Sequence, residues 1–121
     1  MKLYRKASRE VPAYQFVDGV INITGKSIPF YKCDLWDVIN NYLSNYRRNP
    51  DPETIVNINL EYINCYSQRY LLKSLQLLEE FNASGHNVTV HWYYENEEDP
   101  TYDLGNIFGT MINIPIEMVK I

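Results

Sequence analysis

The stretch Thr54-Ile55-Val56-Asn57-Ile58-Asn59-Leu60-Glu61-Tyr62-Ile63 carries the strongest local signal in the chain. Its apolar residues recur with period two, so that Val56, Ile58, Leu60 and Tyr62 fall on one side and Asn57, Asn59 and Glu61 on the other. That is the pattern of a strand with one face turned to a core. The period then changes. Between residues 66 and 82, Tyr70, Leu71, Leu75, Leu78 and Phe81 follow helical spacing, and Gly85 stands where a left-handed cap closes a helix. Alternation returns with Val88, Val90, Trp92 and Tyr94 set against Thr89, His91 and Tyr93. Strand, helix and strand of these lengths predict a crossover connection that leaves the two strands parallel.

Upstream, residues 13–17 and 20–24 are short strand-like runs separated by Asp18-Gly19. That pair suits a type I′ hairpin turn, in which both positions need positive φ. After Gly25-Lys26-Ser27 and Pro29, the segment 31–47 places Leu35, Ile39, Tyr42, Leu43 and Tyr46 at helical spacing, with Arg47-Arg48 near the negative end of the helix dipole. Downstream of Tyr94 an acidic run, residues 95–99, leads to a short helix around 101–111, and Ile114 to Val119 reads as a last strand. The predicted order is β-β-α-β-α-β-α-β, a mixed sheet with helices packed on it, in the α/β class. One domain spans residues 11–121, preceded by a basic arm at 1–10.

With 121 residues, of which 45% are hydrophobic, the chain has material for one core. Its net charge of −4 and pI of about 5.1 argue against nucleic acid, whose phosphates call for clustered Lys and Arg. The charge is unevenly spread: Lys2, Arg5, Lys6 and Arg9 against Glu10 give the arm +3. Such an arm is either a contact for an anionic partner or a frayed terminus, and termini are commonly the latter. Neither a signal peptide nor a membrane span is expected, so the chain reads as cytoplasmic, and Cys33 and Cys65 as thiols.

Phosphate-loop patterns are absent, and no metal or cofactor site is predicted: His86 and His91 have no ligand partners at a recognised spacing. The acidic run lacks the order of a Ca²⁺ loop and reads as a solvated segment. Tyr and Asn are in excess, at 11 and 13 residues. Tyr42, Tyr46, Tyr62 and Tyr70 are placed on packed faces by their periodicity.

The strand-to-helix junction Asn64-Cys65-Tyr66-Ser67 is where chemistry is concentrated. Cys65 at a helix start is open to two readings. A thiol beside unpaired N–H groups can be a nucleophile or a redox-responsive group, giving a small enzyme, while a buried cysteine is a small apolar residue. Ser67 is likewise open: it caps the helix, or, as a hydroxyl at a helix N-terminus, it is a modification site whose phosphate the dipole would stabilise.

These landmarks together resemble the SiaC family of bacterial regulatory phosphoproteins, whose STAS-like α/β fold is related to anti-sigma-factor antagonists. The resemblance runs from Val11 to Val119. It rests on Pro12, on Gly25-Lys26-Ser27-Ile28-Pro29 against the family's G-x-S-Y-P turn, on Tyr62 to Arg69, on Leu77-Leu78-Glu79-Glu80 and Gly85, and on Trp92-Tyr93-Tyr94, Phe108 and Ile114-Pro115. It implies a non-catalytic partner-switching protein controlled by a kinase and a PP2C-type phosphatase. Such a protein binds and activates a diguanylate cyclase, so it belongs to cyclic-di-GMP signalling and biofilm formation. The family's junction resembles Y-x-N-T-S-S-x-K, with the threonine as phosphoacceptor. Here Tyr62, Asn64 and Ser67 are kept and Arg69 replaces the lysine, but Cys65 stands at the phosphoacceptor position and Tyr66 at the next serine. The resemblance therefore implies partner binding around Asn64, Ser67 and Arg69, with Ser67 or Tyr66 as alternative modification sites. The switch is otherwise lost, or made redox-sensitive at Cys65.

Overall fold

Three crossover helices join the parallel strands of a six-stranded sheet, in a computed structural model that describes residues 2–9, 11–28, 34–46 and 48–121. Pro29, Cys33 and Arg47 lie outside those residues. The elements are β1 (Lys2–Arg5), β2 (Ala13–Val17), β3 (Val20–Ser27), α1 (Asp34–Tyr46), β4 (Glu53–Ile63), α2 (Cys65–Ala83), β5 (Asn87–Tyr94), α3 (Pro100–Met111) and β6 (Ile116–Lys120). Strand order in the sheet follows chain order, with β1, β2 and β3 antiparallel and β3 through β6 parallel.

The arm is the main departure from the expected order. Lys2–Arg5 pairs with β2 as an antiparallel edge strand instead of fraying. Leu3 opposite Phe16 supplies an apolar contact that four basic residues among the first ten conceal from a composition-based reading. The β2–β3 turn is as predicted, with φ of 49° at Asp18 and 81° at Gly19. At the far end of α2, Gly85 takes φ of 94° and the helix stops.

Sequential parallel strands joined by right-handed crossovers place every helix on the same face. The register agrees. Ile23, Ile58 and Trp92 lie side by side, as do Ile21, Val56 and Val90, and all are buried against Ile39, Leu43, Leu71, Leu75 and Phe108. α3 approaches β5 closely because residue 105 is glycine: a Cβ there would lie 2.8 Å from the Trp92 indole. The Trp92 N–H in turn donates to the Thr101 carbonyl at 2.9 Å.

Among the described residues the opposite face of the sheet carries no helix, unusual for parallel strands, which are normally covered on both sides. Polar residues make this tolerable. Asn57 donates to Asn22 at 2.9 Å, His91 Nδ1 lies 3.1 Å from Asn57 Oδ1, and His91 Nε2 lies 3.1 Å from Glu117, forming a ladder across four strands. Two members of the asparagine excess, Asn22 and Asn57, thus bond each other across neighbouring strands.

Candidate functional site

The junction is shaped by an irregularity at the end of β4. Gly25 of β3 pairs with Leu60 but Lys26 pairs with Tyr62, which leaves Glu61 as an extra residue on β4. A bulge of this kind reverses the side on which the following residues fall. Tyr62, which strict alternation puts on the packed face, is accordingly 49% exposed, and Ile63 is buried instead. Glu61 meets Lys26 at 3.8 Å in an exposed pair, which adds little to stability.

Beyond Ile63 the chain turns into α2 through Asn64, whose backbone is extended at φ −81°, ψ 169°. The Asn64 side-chain oxygen accepts from the Ser67 N–H at 2.9 Å. Asn64, not Ser67, is therefore the helix cap, with the serine backbone on the receiving side. The Asn64 N–H donates to the Ser27 carbonyl at 2.9 Å, which ties the cap to the end of β3. The Gln68 side-chain amide donates to the Ile63 carbonyl at 3.2 Å and braces the turn from the other side.

The Ser67 side chain points inward and is fully buried. Its oxygen accepts from the Ser27 hydroxyl at 2.6 Å, and Ser27 accepts from the Trp36 indole N–H at 3.3 Å. Two separate stretches of the sequence, the Gly25-Lys26-Ser27 turn and the junction, thus meet in a buried hydroxyl pair under α1. The helical spacing already contains the signal for this: Ser67, Leu71, Ser74, Leu75 and Leu78 share one stripe of α2, all buried. In the sequence Ser27 is legible only as part of the Gly25-Lys26-Ser27 turn and Trp36 carries no signal of its own, because nothing local links either to residue 67.

What the junction presents outward is different. Cys65, the first residue of α2, is an exposed free thiol, and Arg69 is exposed one turn later. Tyr66 is half-buried, its ring 5.2 Å from that of Tyr70. A nucleophilic thiol needs a base within hydrogen-bond reach. His86 lies beyond the other end of the 19-residue α2, about 28 Å along the helix axis. His91 sits on the helix-free sheet face, held between Asn57 and Glu117. Neither histidine stands beside Cys65. Among the described residues no cluster of three or more His, Cys, Asp or Glu could hold a metal ion, and no helix is long and apolar enough to cross a membrane.

The fold matches solved structures of SiaC from Pseudomonas aeruginosa. The apo-SiaC crystal structure superposes with a TM-score of 0.89 at 21% identity, over 98% of each chain. A crystal structure of the diguanylate cyclase SiaD in complex with its activator SiaC, from the same organism, contains a chain that superposes with a TM-score of 0.90 at 21% identity, over 98% of this chain and 99% of that one. In sequence, the chain is 22% identical over 115 residues to an uncharacterized protein of Pseudomonas aeruginosa strain UCBPP-PA14, covering 93% of this chain and 91% of that protein. The family model for the SiaC family of regulatory phosphoproteins matches residues 6–121, spanning both the Ser27 turn and the junction at Asn64 to Arg69, and the chain belongs to that family.

Proposed function

We propose that this protein is a non-catalytic regulator that docks onto a diguanylate cyclase through the end of β4 and the first two turns of α2. The observation that carries the reading is the division of labour at the junction. Asn64 and Ser67 spend their polar groups inward, fixing the turn, while Tyr62, Cys65 and Arg69 face solvent on that fixed frame. A rigid patch that holds a tyrosine and an arginine suits protein recognition, since these residue types dominate binding energy at interfaces. The likeness to the SiaC that activates SiaD names the partner class.

In the family scheme a kinase and a PP2C-type phosphatase set the binding state through a threonine. Cys65 occupies that position here, and a thiol is not a substrate for such a kinase. Ser67 is sealed beneath α1, and Tyr66 packs on Tyr70. The cyclase-binding state is therefore free of phosphorylation control at this junction, and the protein acts as a constitutive cytoplasmic activator that raises cyclic-di-GMP and favours biofilm formation. Binding of the cognate cyclase to immobilised protein tests the surface. Arg69→Glu and Tyr62→Ala each weaken binding by at least about tenfold without altering the circular dichroism spectrum. Undiminished binding by both variants would move the interface elsewhere.

A further inference from the structure

On the helix-free face of the sheet, His91 has an oxygen atom at each of its ring nitrogens. Nδ1 lies 3.1 Å from Asn57 Oδ1 on β4 and Nε2 lies 3.1 Å from Glu117 Oε2 on β6, so the imidazole bridges both neighbours of its own strand. The register sets this up, with Asn57, His91 and Glu117 side by side across β4, β5 and β6. The Asn57 amide nitrogen is already engaged, donating to Asn22 Oδ1 at 2.9 Å, and the Tyr93 hydroxyl donates to Asn57 Oδ1 at 3.4 Å. The Asn57 oxygen is therefore the atom turned to His91. Two acceptors call for two N–H groups, and an imidazole carries both only when it is protonated. The neutral ring has one to give.

We propose that His91 is a proton-operated clasp that fastens the edge strand β6 to the sheet. Among the described residues β6 pairs with β5 alone, so a side-chain bond across that pair adds to a single ladder. With the proton in place, the ring holds Asn57 and Glu117 at once. Without it one bond is lost, and the surroundings decide which. Asn57 is half-buried in a network that also holds Asn22 and Tyr93, where a missing donor is costly. The Glu117 side chain is 61% exposed, and a carboxylate there turns to water at little cost. The neutral ring therefore keeps its hydrogen on Nδ1, toward Asn57, and releases Glu117. Thr89 and Tyr93 flank His91 on β5, Asn57 faces it from β4 and Glu117 from β6; of these Glu117 is the charged group and Tyr93 the further titratable one. A phenol ordinarily titrates far above an imidazole, so Tyr93 keeps its proton while the clasp works. The clasp is closed on the acid side of the imidazole range and opens as pH rises through it, between about pH 5 and 8.

Two NMR readouts on the full chain test the clasp across the imidazole range. Long-range proton–nitrogen correlations of the His91 ring report its protonation and tautomer, and the expected neutral form carries its hydrogen on Nδ1. Hydrogen exchange reports the strand: the Ile121 N–H donates to the Tyr94 carbonyl, so by alternation the Val119 N–H also points at β5. Its protection, corrected for intrinsic exchange and measured against the Ile58 amide in the middle of the sheet, should fall about threefold as His91 loses its proton. Two variants at the exposed Glu117 separate the clasp from a general effect of pH. In Glu117→Gln the carboxamide accepts from the protonated ring or donates to the bare Nε2 of the neutral one, so protection stays level across the range. In Glu117→Ala it is low throughout. The proposal is overturned if Val119 protection in the natural chain ignores the His91 titration, if the neutral ring carries its hydrogen on Nε2, or if either variant keeps the natural chain's pH dependence.

Discussion

The two ends of β4 use hydroxyl groups in opposite ways. At its C-terminal end Ser27 and Ser67 bond each other under Trp36, wholly inside, while Tyr62, Cys65 and Arg69 are exposed at the surface. At its N-terminal end buried Thr54 meets the half-buried Tyr46 hydroxyl, and the polar groups continue outward through Asp51 and Asp18 into an open concavity. Buried polar pairs fix geometry because leaving either partner unsatisfied is costly. An outward polar lining instead stays in contact with solvent. One end of β4 is thus closed around its hydroxyl groups, and the other opens them to solvent.

The comparison is broken most severely by Ser27→Ala, which deprives the Trp36 N–H of its acceptor and Ser67 of its partner in one step. A loss of about 3 kcal/mol in urea unfolding is expected, with weaker cyclase binding because the junction loosens. Gly19→Ala attacks the other end, where φ is 81° and the new methyl meets the Glu53 carbonyl. It should cost about 2 kcal/mol, yet leave cyclase binding intact, so the pair of variants separates instability from loss of the docking surface. Asn64→Ala removes the cap of α2 and costs about 1 kcal/mol, and it should reduce binding through the altered turn. Cys65→Ser, at an exposed position, should change stability by less than about 0.5 kcal/mol.

Much of this arrangement is legible in the sequence, and its gaps have physical causes. The hairpin turn, β4, α2 and its glycine stop are local features, set by Asp18-Gly19, by alternation from Val56 to Leu60 and by Gly85, and each lies where its pattern places it. β1 was hidden because a short basic strand gains its stability from pairing with β2. Tyr62 faces outward because of a bulge that only the partner strand reveals. Ser67 stood in the sequence as a surface hydroxyl or a cap, whereas the helix stripe that it shares with Leu71 and Leu75 takes it inside. The concavity between Asp18 and Asp51 was illegible, since 33 positions separate residues that only the tertiary fold brings together. The tyrosine and asparagine excess splits accordingly between packing, the ladder on the helix-free face and the lining of that concavity.

The central claim is that Cys65 leaves the docking surface intact while removing its phosphorylation gate. Cyclase activation is measured before and after incubation with the cognate kinase and ATP, for the natural chain and for Cys65→Thr, with intact mass recorded at each step. The account predicts that the natural chain gains no phosphate and activates equally in both conditions, while Cys65→Thr gains one phosphate and loses activation. Phosphorylation of the natural chain accompanied by loss of activation would contradict it.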